Sequence, residues 1–390
     1  MEDFSEVNFL VGVNGSGKSR VLNSIGQKYL TRDTNVVAIS NTVFDKFSQR
    51  GYKKLSAKDG KVFLKYTIVD SILNENNSIY NILEYLGYDK GFGVLISFYS
   101  DFYGDFLEYF LRKIDEYNKL YVPNDKAYID YDLREMELFC DQLKDFLYPY
   151  NDHEYFFDFG YWGYMDRNIQ NLSIFRRLYE LFLNKNIIKI DFLISKGGYK
   201  FKLNGASSGE SHFLAQMLFL SGNLNKSEKN IILIDEPEIS LHPKWQKEYI
   251  FKLYDYFYKY DLKIFIATHS PLIISKLQIN KSDLYDDYIQ KIRYKIFNVK
   301  DQKLTVIDED KDYSIEALYW EVFRVLTPQS AFLSRYLVEL MTRMDNMKID
   351  EISKKSHNYK LIIDELYELK ESSFSQKQVK VINKIIEEYK

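Results

Sequence analysis

Gly12-Val13-Asn14-Gly15-Ser16-Gly17-Lys18-Ser19 fits the pattern G-x-x-x-x-G-K-[ST] at every constrained position. The chemistry that needs this spacing is phosphate binding. Its glycines let successive backbone N–H groups converge on an anion, and a helix that starts at the lysine adds partial positive charge. In that role Lys18 reaches the β- and γ-phosphates, while the Ser19 hydroxyl ligates Mg2+. Asn14, Gly15, Ser16, Gly17 and the following Arg20 complete the nucleotide-binding set. ATP and Mg2+ are therefore the expected cofactors.

Two further segments supply what a phosphate loop lacks. Ile231-Ile232-Leu233-Ile234-Asp235-Glu236 is an apolar run that ends in adjacent acids. Asp235, at the tip of a strand, is placed to bind Mg2+ directly or through water, and Glu236 to act as general base on the attacking water. Pro237 stops the strand, so both carboxylates sit at a sharp exit. Ala267-Thr268-His269-Ser270-Pro271 follows the next apolar run. A histidine just beyond a strand can bond the γ-phosphate or orient the water. Ser207-Ser208-Gly209-Glu210 precedes a helical stretch, and a hydroxyl with a glycine at a helix start makes a second anion site. One nucleotide already has its loop, so a second anion site in one chain suggests service to another chain's nucleotide. Each segment also has an ordinary reading: a Gly-rich turn, solvated acids, a structural histidine, an N-cap.

The elements that must position these residues are legible in outline. Residues 7–11 read as a short buried strand before the loop, and 19–30 as a helix. Further strands are expected at 36–40, 61–69, 187–194, 199–203, 231–234 and 264–267. Lys196-Gly197-Gly198 signals a hairpin, and 284–307 suggests closing strands. Apolar runs flanked by helices suggest a mostly parallel sheet buried on both faces. From 78 to 185 the pattern turns helical, with Phe98, Phe102, Phe106, Phe110 and Ile114 stepping by four and an amphipathic segment at 133–147; these stripes read as core. The stretch 314–390 is helical and charged.

Composition bounds the class. Aromatic residues make up 17% of the 390, with 34 Tyr and 28 Phe, and 46% are hydrophobic, ample for a core. With 53 basic and 56 acidic residues the net charge is −3, so no global field points to nucleic acid, although a local basic groove stays open. Cys140 alone builds neither an internal disulfide nor a cysteine zinc site and reads as buried and apolar. Neither a signal peptide nor an apolar run long enough to span a membrane is evident, so a cytoplasmic protein is expected.

Together these motifs resemble the ABC-type ATPases, and among them the chromosome-maintenance, recombination and OLD-like branch. Residues 12–19 resemble Walker A, 207–210 the signature motif, Asp235-Glu236 the Walker B acid plus catalytic glutamate, and His269 the switch histidine. The run Asp235-Glu236-Pro237-Glu238-Ile239-Ser240-Leu241-His242-Pro243, then Gln246, with Thr268-His269-Ser270-Pro271, is similar to OLD-like and defence-associated ATPases. Ile39-Ser40-Asn41-Thr42-Val43-Phe44-Asp45-Lys46-Phe47 resembles a subset from restriction- and retron-associated operons. The resemblance covers roughly 1–60 and 187–310. It implies an α/β P-loop fold of ABC-ATPase type: a mostly parallel central sheet flanked by helices, with a helical insert lobe and a helical C-terminal tail. The expected division is a head from 1–60 and 187–312, a mainly helical insert at 61–186, and a helical region at 313–390.

The resemblance further implies a head-to-head homodimer or higher homo-oligomer with two ATPs at its interface. Each nucleotide would lie between Lys18 of one chain and Ser208-Gly209 of the other, with His242 near the interface or capping a helix. Several features depart from the pattern. Few residues precede the first strand, Arg20 stands where a small hydroxyl residue is common, and Gln49 sits in a poor context for a Q-loop.

The leading reading is a sensor or scaffold ATPase of a bacterial anti-phage system with a separate effector, a nuclease or toxin. Its turnover is expected to be slow or conditional. The alternative is a DNA repair or chromosome-maintenance ATPase that binds DNA across dimerised heads, for which the near-neutral charge gives little support. An OLD-type nuclease would need a TOPRIM module; Asp308-Glu309-Asp310 and Glu316 offer its letters but are followed by helices. A transporter ATPase fits the acidic run poorly.

Overall fold

The computed structural model describes residues 4–31, 33–42, 46–47, 51–56, 60–73, 78–121, 127–151, 153–158, 165–183, 185–205, 208–239, 241–274, 292–307, 315–323, 326, 331–348, 357–373 and 375–389. In chain order its elements begin with β1 (Val7–Val11), α1 (Lys18–Lys28), β2 (Thr34–Ser40), β3 (Lys53–Ser56), α2 (Gly60–Leu73), α3 (Ser78–Tyr85), β4 (Phe92–Ser97) and α4 (Phe106–Asn118). They continue with α5 (Leu133–Phe146), β5 (Tyr148–Asn151), β6 (Glu154–Asp158), α6 (Met165–Leu178), β7 (Lys189–Lys196), β8 (Tyr199–Lys202), α7 (Ser208–Asn223) and β9 (Lys229–Asp235). The last are α8 (Pro243–Phe257), β10 (Leu262–Ala267), β11 (Tyr294–Lys300), β12 (Lys303–Val306), α9 (Ile315–Phe323), α10 (Ala331–Lys348), α11 (His357–Glu371) and α12 (Gln376–Tyr389).

Contacts divide the chain into two compact units, Met1–Lys54 with Asn225–Lys390, and Leu55–Leu224. The first contains a seven-stranded sheet in the order β12-β11-β1-β10-β9-β2-β3. The pairs β11/β1, β1/β10, β10/β9 and β9/β2 are parallel, and β12 returns antiparallel. Every residue of β1 is buried, and β9 and β10 are buried over nearly their whole length. That is why these strands read as unbroken apolar runs: a parallel strand covered on both faces has no polar side. Leu22 and Ile25 of α1 pack with Leu10, Leu233, Phe265 and Phe297 on one face. Helices α9 to α12 form their own core around Trp320, Leu340, Met344, Leu366, Leu369 and Ile382.

The second unit is built on a five-stranded sheet, β5-β6-β4-β7-β8, antiparallel at every pairing. Sequence periodicity read 78–185 as helical in pattern, and the structure adds strands to it. Helices α3 to α6 are present, but β4, β5 and β6 lie among them. Phe92-Gly93-Val94-Leu95-Ile96-Ser97 is a short apolar run whose partners are β6 and β7, far away in the chain, and local period cannot reveal such pairing. Conversely, the expected strand at 61–69 is helix α2, where Ile68, Val69 and Ile72 fall at helical spacing and are buried. The hairpin of β7 and β8, with its turn at Gly197-Gly198, pairs into this antiparallel sheet and not into the parallel one.

Aromatic rings cluster within this unit. Helix α4 starts at Phe106 behind the N-cap Asp105, so Phe98 and Phe102 precede the helix. They still stack with it, at 4.4 Å between each other and 5.3 Å from Phe102 to Phe106. Phe110 lies flat on Phe182 at 4.0 Å. Cys140 is buried on α5, where burial pushes its thiol up to about 12, as expected for an inert apolar residue. Among the described residues no helix is long and apolar enough to cross a membrane. Gln49, Val43, Phe44, Asp45, Ser207, Ser240 and the acidic stretch 308–312 lie outside the described residues.

Candidate functional site

The parallel sheet brings together what the chain separates. Leu10 is in register with Ala267, and Ala267 with Asp235, so β1, β10 and β9 end level with one another. The phosphate loop, the Asp235-Glu236 pair and Thr268-His269 therefore emerge at the carboxyl edge of adjacent strands, where open α/β sheets bind their ligands.

The loop leaves β1 at Gly12, with φ 151°, and passes Gly15 and Gly17 at 82° and 97°. Asn14 and Gly15 form an exposed crest, and Ser16 N–H closes a turn onto Val13 C=O at 3.2 Å. Gly17 caps α1 without a side-chain acceptor, so the first N–H groups of that helix remain available to an anion. Lys18 is buried. Its Nζ donates to Gly12 O at 3.0 Å and Val13 O at 3.2 Å, and lies 3.4 Å from His269 Nδ1. Burial lowers its pKa, while Glu236, Asp235 and Glu238 pull the other way. Arg20 is exposed on the first turn of α1.

Ser19 Oγ donates to Asp235 Oδ1 at 3.0 Å. Asp235 is 1% exposed, and burial pushes its carboxyl up to about 6. Glu236 sits just past the strand at φ 51°, the left-handed region that a non-glycine residue adopts only under constraint. Three hydrogen bonds pin that bend: Glu236 N–H to Ala267 O at 2.8 Å, Asn41 N–H to Asp235 O at 3.1 Å, and Asn41 Nδ2 to Glu236 O at 3.2 Å. The bend leaves Glu236 Oε1 3.4 Å from His269 Nε2. That contact, against the opposing effect of burial, holds the Glu236 carboxyl below the usual range. The ammonium of Lys18 only donates, so a hydrogen bond between them takes Nδ1 of His269 as acceptor and leaves Nε2 to donate to Glu236.

Sequence reasoning gave Glu238 no role of its own. Its carboxylate accepts from Thr268 Oγ1 at 2.8 Å and from the His269 backbone N–H, and so fixes the turn that carries the histidine. Burial raises its pKa. The signal available in the sequence was the acid two residues after Glu236, across a proline. Ser270 Oγ donates to Gln246 Oε1 at 2.6 Å, and Gln246 Nε2 to Leu241 O at 2.9 Å, which ties this turn to α8. His242 caps α8, accepting from Lys244 N–H at 3.3 Å.

Among the described residues no three His, Cys, Asp or Glu side chains form a self-sufficient metal site. A hydroxyl and a buried carboxylate 3.0 Å apart fit instead a hard cation that takes its remaining oxygens from phosphate and water. Ser16 Oγ is buried without a hydrogen-bond partner, which suits a loop shaped for phosphate oxygens. Ser208, Gly209 and Glu210 open α7 in the second unit, where Tyr88 Oη donates to Glu210 Oε2 at 3.1 Å and Lys196 Nζ lies 3.8 Å from Oε1.

Residues 66–275, more than half of the chain, match the family described as "AAA domain, putative AbiEii toxin, Type IV TA system". The chain belongs to this AAA domain family. The matched span contains Asp235, Glu236, Glu238 and His269, while the phosphate loop precedes it. The chain is also 32% identical over 95 residues to "Retron Vc95 probable ATPase" of Vibrio cholerae serotype O1 biovar El Tor. That alignment covers 22% of this chain and 18% of the Vibrio protein, so the chain spans less than a fifth of that relative's length. An AAA-type P-loop domain on a mostly parallel α/β sheet, related to a retron-associated ATPase, is thus the coarse description.

Proposed function

We propose that this AAA domain protein binds and hydrolyses ATP with Mg2+, dimerises around two nucleotides in the manner of OLD-like ABC ATPases, and acts in the cytoplasm as the sensor or scaffold of a bacterial anti-phage system. A separate nuclease or toxin would be its effector. The observation that carries the proposal is the convergence of Lys18, Asp235, Glu236 and His269 at one sheet edge. In this reading residues 14–20 bind the nucleotide, and Ser19 with Asp235 holds Mg2+, which screens phosphate charge. Glu236 is ionised and takes the proton of the attacking water, while His269 keeps its carboxylate oriented. Ser207, Ser208, Gly209 and Glu210 would complete the partner chain's site. The likeness to a retron ATPase is consistent with the defence setting.

The test is mass by light scattering of the purified chain, with and without MgATP, for the wild type and Glu236→Gln. A nucleotide-dependent doubling, most persistent in Glu236→Gln, is expected. An unchanged mass in both proteins, with ATP bound, would remove the dimer from the proposal.

A further inference from the structure

The hairpin joining β11 to β12 closes on two residues, with Lys300 opposite Lys303. Asp301 and Gln302 both lie in the left-handed region, at φ 50° and 62°. This is type I′ geometry, which suits the twist of a hairpin and favours Asp or Asn followed by Gly. Asp301 follows that preference. Gln302 does not: it stands where glycine would relieve the backbone. A side chain kept in such a position directs attention to what it touches.

It touches the phosphate loop. Gln302 N–H donates to Ser16 C=O at 3.1 Å. A Cβ on Gly17 would lie 2.6 Å from Gln302 Cγ, and a Cβ on Gly12 would lie 2.6 Å from Val299 O. The hairpin thus walls the loop at its first and last glycines, some 280 residues along the chain from them. Peptide geometry gives the consequence. In a planar trans peptide the C=O and the following N–H point in opposite directions. Holding the Ser16 carbonyl to the hairpin therefore aims the Gly17 N–H away from it. Inside the loop, Ser16 Oγ lies 3.0 Å from the place of a Gly12 Cβ and has no hydrogen-bond partner.

We infer that Gln302 is a positioning residue for the nucleotide: its N–H fixes the Ser16–Gly17 peptide and its methylene stem covers Gly17, which keeps the loop in the shape that receives phosphate. This rests on the ATP-binding reading above. Gln302 acts through the loop and not on the reacting atoms.

Three proteins test it: the wild type, Gln302→Gly and Gln302→Met, each measured for melting temperature, ATP Kd by calorimetry, and kcat at saturating ATP. Gln302→Gly relieves the left-handed strain, so its melting temperature holds or rises. Glycine keeps the backbone N–H but removes the stem over Gly17 and frees the turn, so its ATP Kd nevertheless rises about three- to tenfold, the scale of one buried methylene, with kcat within about twofold. Gln302→Met keeps the covering stem and loses only the carboxamide, and retains wild-type Kd. A Gln302→Gly protein that binds ATP like the wild type overturns the inference. So does a Gln302→Met protein that loses as much affinity as Gln302→Gly, because the carboxamide itself would then be the contact. A wild type that binds no nucleotide defeats the ATP-binding reading instead, and the two failures are distinct.

Discussion

The two compact units differ in what accompanies their aliphatic cores. In the unit of the parallel sheet, aliphatic strands end at an edge where a lysine and an aspartate are buried within hydrogen-bonding reach of other polar groups. In the antiparallel unit, the buried polar residues among those described beyond β3 are Ser71 and Gln216, and no charged residue joins them. Its interior joins aliphatic side chains to a cluster of rings, in which Phe98, Phe102, Phe106, Tyr109 and Phe110 pack edge and face. Buried charge is expensive and persists where function requires it, whereas stacked rings gain stability by burying area. The contrast locates the chemistry in the first unit and assigns the excess aromatic content to the packing of the second.

Substitutions can break that division. The largest effect is expected at Glu236. Glu236→Gln removes the proposed general base and should lower kcat for ATP hydrolysis by about 10²- to 10⁴-fold while ATP still binds, as steady-state turnover and calorimetry would record. Retained turnover would move the base elsewhere. Phe110→Ala comes next. Phe110 is fully buried against Phe182, and its truncation should cost about 3–5 kcal/mol in denaturant unfolding with ATP affinity unchanged. Lost affinity in a protein that remains folded would mean the aromatic unit serves the nucleotide.

A smaller effect separates charge from packing. Asp235 binds its proton more tightly folded, at about 6, than at its ordinary 3.8. Its ionisation therefore opposes folding, and stability from this group falls as pH rises through that window. Asp235→Asn should stabilise the nucleotide-free protein at neutral pH by up to roughly 3 kcal/mol and lose the gain below pH about 4. The same variant should forfeit the Mg2+-dependent part of ATP binding. Thermal unfolding across pH, with and without MgATP, reads both.

Much of the first unit was legible because its signals are local. The phosphate loop carries its spacing in eight residues, and β9 and β10 are continuous apolar runs closed by polar residues. What escaped depends on distant partners. Phe92–Ser97 becomes a strand by pairing with β7, about a hundred residues on, and nothing in its own six residues distinguishes it from a buried helical turn. Gly60–Leu73 fails in the opposite direction, since apolar and β-branched residues run through it closely enough for the buried Ile68, Val69 and Ile72 not to stand out as a helical stripe. The bend at Glu236 and the turn at Gln302 are left-handed positions without glycine, so the usual mark of such geometry is missing. Glu238 was visible as a letter in the acidic run, but its bonds to Thr268 and His269 follow only from the register of β9 beside β10.

The division rests most directly on whether the Lys18 loop holds a nucleotide. Calorimetric titration of MgATP into the wild type and Lys18→Ala decides it. Saturable binding by the wild type, weakened at least about tenfold in a Lys18→Ala protein with an unchanged fold, is the outcome expected when a buried charge-assisted contact is lost. Equal affinity in the two proteins, or no binding by either, would contradict it.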